Sequence, residues 1–131
     1  MMNSRKLVTV VDDDESVLES LPDLLREFGF AAEAYASAAA FLHSDSVSLT
    51  KCLVLDITMP GMSGPELHRE LARRKLDIPV VFITANGNGD VRRRMLDSGA
   101  VECLAKPFSP EALLQALRTA LPIGEKPDSP V

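Results

Sequence analysis

Short apolar runs along the chain alternate with longer stretches in which apolar residues return every three or four positions. Leu7–Val11 (LVTVV) is rich in β-branched residues and runs into acids, the pattern of a strand buried on both faces. From Asp14 to Phe28 the residues Val17, Leu18, Leu21, Leu24, Leu25 and Phe28 step by threes and fours. That spacing predicts a helix with one buried face, closed by Gly29 at C′. Ala31–Tyr35 reads as a weaker second strand, and Ser37 as the cap of a short Ala-rich helix reaching Leu42. Cys52–Leu55 (CLVL) predicts a third buried strand that ends at Asp56. Ser63-Gly-Pro-Glu66 has capping-box spacing, with Pro65 suited to a first turn, so a helix follows to about Arg74. Pro79–Thr84 predicts a fourth strand, Asp90–Ser98 a helix closed by Gly99, and Val101–Ala105 a fifth strand. Ser109-Pro110 opens a last helix to about Leu121. Pro22 breaks the local rules. In the middle of the first helix it deletes a hydrogen bond and should cost about 3 kcal/mol or a kink.

Strands alternating with helices in this way predict an α/β fold built on a parallel sheet. The 131 residues suit one domain, with a core large enough to need no disulfide. The last ten, PIGEKPDSPV, hold three of the nine prolines and read as a disordered tail or linker stub over 122–131. On that reading the tail leaves no room for a DNA-binding output domain.

Charge changes the picture in one respect. Nineteen acids against fourteen bases give −5, which argues against direct nucleic-acid binding and against an anionic membrane surface. Nine of the acids and only three bases fall in residues 1–45, so the first third holds the acidity. Cys52 and Cys103 lie inside apolar runs with no metal or disulfide spacing, as buried thiols in a reducing cytoplasm would. The apolar stretch near the N-terminus ends at Asp12, too soon for a signal peptide or membrane span. A cytoplasmic protein is expected, without a membrane partner.

Ligands of an open parallel sheet gather beyond the carboxyl ends of its strands. Asp12, Asp13 and Asp14 follow the first strand, Asp56 follows the third, Thr84 ends the fourth, and Lys106 follows the fifth. Carboxylates, one hydroxyl and one ammonium at one rim suit a divalent metal and a phosphoryl group. Mg²⁺ takes one or two carboxylates together with water and phosphate oxygens. Three ionised aspartates against Mg²⁺ and Lys106 leave the site near neutral. A phosphoryl group on Asp56 would tip it negative, and Thr84 would turn to donate a hydrogen bond. Asp14 and Glu15 are read instead as helix cap and dipole partners. His43 and His68 are expected on exposed helix faces, and Arg92, Arg93 and Arg94 on a solvated one. Met59, Met62 and Met95 are read as packing or loop filler.

The segments VVDDDESV, LVLDITMPGMSG, VFITA and LAKPF, in this order and spacing, resemble the receiver domain of two-component response regulators. The resemblance covers about residues 5–121 and is closest to receivers of the nitrogen-fixation type. It implies a receiver domain over 1–121 with a flavodoxin-like five-stranded parallel sheet, order 2-1-3-4-5, and five helices on both faces. It implies that Asp56 accepts a phosphoryl group from a sensor histidine kinase or a histidine phosphotransfer protein. Asp13 and Asp56 would ligate Mg²⁺ directly, Asp12 mostly through water, and Thr58 through its backbone carbonyl. Thr84 would be the switch hydroxyl, Lys106 the phosphate-pairing lysine, and Lys106–Pro107 a cis peptide. Phosphorylation would switch partner binding, or dimerisation through the face of the fourth and fifth helices. The domain would be regulatory rather than an enzyme, with intrinsic phosphotransfer and autodephosphorylation activity. Thr58 and Asn86 would flank the path of the attacking water, which the small Ala85 leaves open.

One position departs from the family. Relatives carry Phe or Tyr three residues before the lysine, and here that residue is Cys103. A thiol cannot fill the volume of a ring that swings inward, so backbone shifts would have to switch the output face. Three other readings are weaker. A phosphatase of the haloacid-dehalogenase kind needs a second aspartate two residues after the nucleophile, where this chain has Thr58. A flavodoxin wants a Ser/Thr/Gly-rich phosphate cradle where three aspartates stand. A scaffold blind to phosphate would not keep the whole acceptor set.

Overall fold

The β-branched run after Lys6 forms an interior strand of the sheet. In a computed structural model describing residues 5–121, β1 (Leu7–Val11) is buried along nearly its whole length. It is followed by α1 (Glu15–Glu27), β2 (Ala31–Tyr35), α2 (Ala38–Leu42) and a 3₁₀ turn (Asp45–Ser48). Then come β3 (Thr50–Asp56), α3 (Gly64–Arg73), β4 (Val80–Thr84), α4 (Gly89–Asp97), β5 (Glu102–Ala105) and α5 (Pro110–Ala120). The strands pair in parallel in the order β2-β1-β3-β4-β5, as the family resemblance implies. The expected tail at 122–131 lies outside the described residues.

Alternation along each strand divides the core in two. Val8, Val10, Cys52, Val54, Val81 and Ile83 face α1 and α5. Val11, Leu53, Leu55, Phe82 and Cys103 face α2, α3 and α4. Burying each large aliphatic side chain stabilises by about 1.5–3 kcal/mol, which explains why polar residues in the central strands are confined to functional or networked positions and to the exposed Lys51 near the start of β3. Thr9 is such an exception: its hydroxyl lies 2.7 Å from that of Thr50, which donates to the Ser46 carbonyl at 2.7 Å.

The helix ends follow their side chains. Asp14 caps α1, its carboxylate accepting from the Ser16 amide and hydroxyl at 2.9 and 2.8 Å, and this places it among the caps as expected. Ser63 and Glu66 complete the capping box of α3, and Ser109 caps α5. Gly29 and Gly99 take positive φ of 102° and 106° after α1 and α4, a backbone state that costs glycine little. α1 runs unbroken through Pro22, whose ring is buried, and nothing in the structure explains the choice of proline there. His43 is exposed as expected, but His68 is not on a solvated face. It is half-buried, its ring edge-on to Phe82 at 5.7 Å, because α3 turns this position toward β4.

α4 differs from the other long helices. It buries none of its residues, and only Val91 and Met95 pack against the core. The helix is docked on β5 by a bidentate ion pair from Arg92 to Glu102 at 2.8 and 3.1 Å.

Candidate functional site

Parallel strands end together, so the residues that follow them meet. Asp12, Asp13 and Asp56 bring carboxylate oxygens within 4.8 Å of one another. A cavity of about 290 Å³ opens beside them, lined by Asp13, Asp14, Asp56, Thr58, Thr84, Ala85, Asn86 and Lys106. Every residue assigned to the site from sequence is therefore at one rim. Asp12, Asp56 and Thr84 are buried, whereas Asp13 and Thr58 face solvent. Lys106 is held by the turn after β5, whose peptide to Pro107 is cis, and its amide donates to the Thr84 carbonyl at 2.8 Å.

The electrostatics are those of too many acids in too little water. Burial pushes the Asp56 carboxyl up to about 7, the neighbouring Asp12 adds to the rise, and Lys106 opposes it. Lys106 Nζ stands 2.8 Å from Asp12 Oδ2 and 3.8 Å from Asp56 Oδ1. Partial burial lowers the affinity of Lys106 for its proton, but Asp12, Asp56 and Asp14 outweigh that and hold it above the ordinary lysine range. Asp12 Oδ1 accepts from the Asp14 amide at 2.9 Å. Its Oδ2, fully buried, has the ion pair with Lys106 but no hydrogen bond of good geometry. A buried carboxylate oxygen left in this state is costly unless something else coordinates it. Three converging carboxylates with one such oxygen suit a hard divalent cation, and Mg²⁺ fits this donor set.

The opposite wall is made by β4. Thr84 Oγ1 accepts a hydrogen bond from the Asn86 amide at 3.2 Å, so the hydroxyl holds the loop that leads into α4. Asn88 caps α4 by accepting from the Val91 amide at 3.0 Å. Between them, Gly87 passes so close to β5 that a Cβ would sit 2.8 Å from Ala105 Cβ and 3.1 Å from Thr84 Cγ2. None of these contacts was read from sequence; an Asn two residues before a periodic segment was the available signal for the cap. Cys103 lies buried beside Phe82 in register, and burial raises its thiol pKa, with Glu102 adding to the rise and Arg92 opposing it. Cys52, on the other face, is pushed up to about 12 by burial. Neither thiol has the electropositive, accessible setting of a reactive cysteine.

A second groove adjoins the rim. Val17, Leu21, Leu24, Pro107 and Phe108 line an apolar trough of about 630 Å³ with Lys106 and Asp14 at its edge.

The sequence and the fold resemble those of known proteins. The family model for the response regulator receiver domain matches residues 8–118. Response regulator protein TmoT of Ectopseudomonas mendocina is 38% identical over 124 residues, covering 95% of this chain and 56% of its own length. Nodulation protein W of Bradyrhizobium diazoefficiens is 41% identical over 118 residues, covering 90% of this chain and 52% of its own. The chain thus spans about half the length of the curated relatives it matches. The crystal structure of FixJ-N superposes with a TM-score of 0.77 at 36% identity, covering 91% of this chain and 94% of that one.

Proposed function

The chain belongs to the response regulator receiver domain family, the regulatory module of two-component signalling, and from that premise we propose that Asp56 is its phosphoacceptor. The observation that carries this reading is the placement of Asp56. Its carboxyl is buried, faces Asp12 and Asp13 on one side and Lys106 Nζ on the other, and opens to a cavity edged by the Thr84 hydroxyl. In the step itself an Asp56 oxygen forms a bond to phosphorus while the P–N bond of a donor phosphohistidine breaks, the electron pair leaving with the histidine nitrogen. Lys106 neutralises the new charge, and Thr84 turns its hydroxyl from the Asn86 amide to donate to a phosphoryl oxygen. Asp12, Asp13, Asp56 and the Thr58 carbonyl would hold Mg²⁺. When bound, the ion supplies positive charge to the phosphoryl oxygens.

The donor is a sensor histidine kinase or a histidine phosphotransfer protein. The apolar trough between α1 and Phe108, ending at Lys106, offers such a partner a surface within reach of Asp56. The receiver is taken to occupy 1–121 in a cytoplasmic setting. Its output is partner binding, or dimerisation through α4 and α5.

The test uses Mg²⁺, a small acyl phosphate and intact-mass spectrometry. One added phosphoryl group is expected, mapped to the peptide containing Asp56 and abolished by chelation. An unchanged mass, or a label on another residue, defeats the reading. Size-exclusion of the same sample shows whether the phosphorylated chain pairs.

The lifetime of the product depends on access by water. Thr58 and Asn86 line the cavity, and the small Ala85, in the loop after β4, leaves its mouth open. Exchanging Thr58 and Asn86 for other polar residues is expected to change the decay rate severalfold, followed as loss of the phosphoryl mass after the donor is removed. Decay at the parent rate in both variants defeats the assignment.

A further inference from the structure

Three residues before Lys106, where the resemblance implies a ring that couples the switch hydroxyl to the output face, this chain has only the thiol of Cys103. Something else must hold α4 in its resting place. The helix buries no residue, so its packing gives a weak anchor. Its first turn is tied to the site through backbone, by the Thr84 Oγ1 bond to the Asn86 amide, the close pass of Gly87 over Ala105 and Thr84, and the Asn88 cap. Among the described residues its side-chain tie to the sheet is Arg92 to Glu102, with Nε donating to Oε1 at 2.8 Å and Nη2 to Oε2 at 3.1 Å. Glu102 is itself oriented, since its Oε1 accepts from the Cys103 amide at 3.0 Å and its side chain is only 27% exposed.

We propose that the Arg92–Glu102 pair is the restraint that keeps α4 docked on β5, and that it sets how readily Thr84 turns toward Asp56. The two residues are positioning residues, acting through α4 and the 85–88 loop rather than on the phosphoryl group. The coupling rests on the reading of Asp56 as phosphoacceptor. Turning Thr84 removes its hold on Asn86 and frees the loop. A freed loop lets α4 move, and movement of α4 strains or breaks the ion pair. Coupling between two sites is reciprocal, so removing the pair must favour the turned state of Thr84 by the same factor.

Two measurements on Glu102→Gln and Arg92→Gln test this. Glu102→Gln can keep Oε1 as acceptor for the Cys103 amide while removing the charge and the Oε2 acceptor of Arg92 Nη2. Hydrogen exchange at the amides of 92–97 is expected to quicken in both variants without added ligand. Apparent affinity for beryllofluoride with Mg²⁺, a stable stand-in for the phosphoryl group, is expected to rise about two- to fivefold, the scale a surface ion pair can supply. The reversed pair, Arg92→Glu with Glu102→Arg, should return both readouts toward the parent. Unchanged exchange overturns the restraint. Faster exchange with unchanged beryllofluoride affinity overturns its coupling to the site. A parent chain that takes up no beryllofluoride overturns the phosphoacceptor reading and the coupling together, while the exchange result still decides whether the pair holds α4.

Discussion

Replacing Asp56 with Asn is expected to abolish phosphoryl uptake and, in the same protein, to raise the unfolding free energy without metal by on the order of a few kcal/mol at pH 8. The loss follows from removing the only proposed nucleophile. The gain follows from its surroundings. Burial and the neighbouring Asp12 lift the folded carboxyl to about 7, against 3.8 for the unconstrained side chain. Between those values the native state keeps a proton that the unfolded chain has released. The native state then binds more protons than the unfolded one, so stability falls as pH rises through that window. It is flat below about pH 4 and again above pH 7, where both forms are ionised. Asparagine has the shape of the protonated acid and does not titrate, so the variant should lack this decline. Urea unfolding in a chelating buffer at pH 4, 6 and 8 measures it. The two proteins should converge at the acid end and separate toward pH 8. Mg²⁺ should then stabilise the parent more than the variant, because binding to the native state adds stability by mass action. Parallel pH profiles for parent and variant would show that Asp56 is not a strained acid.

That strain marks what was and was not legible along the chain. β1, β2 and α2 fall on the residues their patterns predict, because each is bounded by acids, glycine or a capping serine that acts locally. β3 is longer than its apolar run. Thr50 joins it by bonding to Thr9 and Ser46, partners 41 and 4 residues away that no local pattern pairs. The 3₁₀ turn at Asp45–Ser48 is set in the same way, by Ser46 reaching Glu33 and Tyr35, 13 and 11 residues away. α4 begins at Gly89 rather than at Asp90 because Asn88 supplies the cap. His68 is not placed by its spacing, because helical periodicity says which side chains share a face, not how α3 is rotated against β4. The rim itself is readable, since strand ends of a parallel sheet must converge and four of the five carry a polar residue of the site. Distances were not. The Asp12 oxygen without a hydrogen bond, the Thr84 bond to Asn86 and the close approach of Gly87 exist only once the strands are side by side.

Gly64→Ala is the substitution expected to damage fold and site together. Ser63 caps α3, and Gly64 opens it by donating its amide to the Ile57 carbonyl at 3.0 Å. That bond draws the start of the helix onto the end of β3. A Cβ at this position would run into the Asp56 carbonyl oxygen, with Asp56 C and Ile57 Cα each 3.1 Å away. All three atoms belong to backbone, so no side chain can swing aside. Either α3 lifts from the sheet or the end of β3 shifts and carries the Asp56 carboxyl with it. The cost of such overpacking is about 2–4 kcal/mol, read as a lower urea midpoint with an unchanged slope. Displacing the nucleophile by a fraction of an ångström to an ångström should slow phosphoryl uptake from an acyl phosphate by about 10- to 100-fold in the molecules that remain folded. Gly89→Ala provides the comparison. A Cβ there meets nothing within 4 Å, so this variant should match the parent in uptake and lie within about 1 kcal/mol of it in stability. If Gly64→Ala folds and reacts like Gly89→Ala, α3 does not rest on the Asp56 backbone, and the helix has no part in aiming the acceptor.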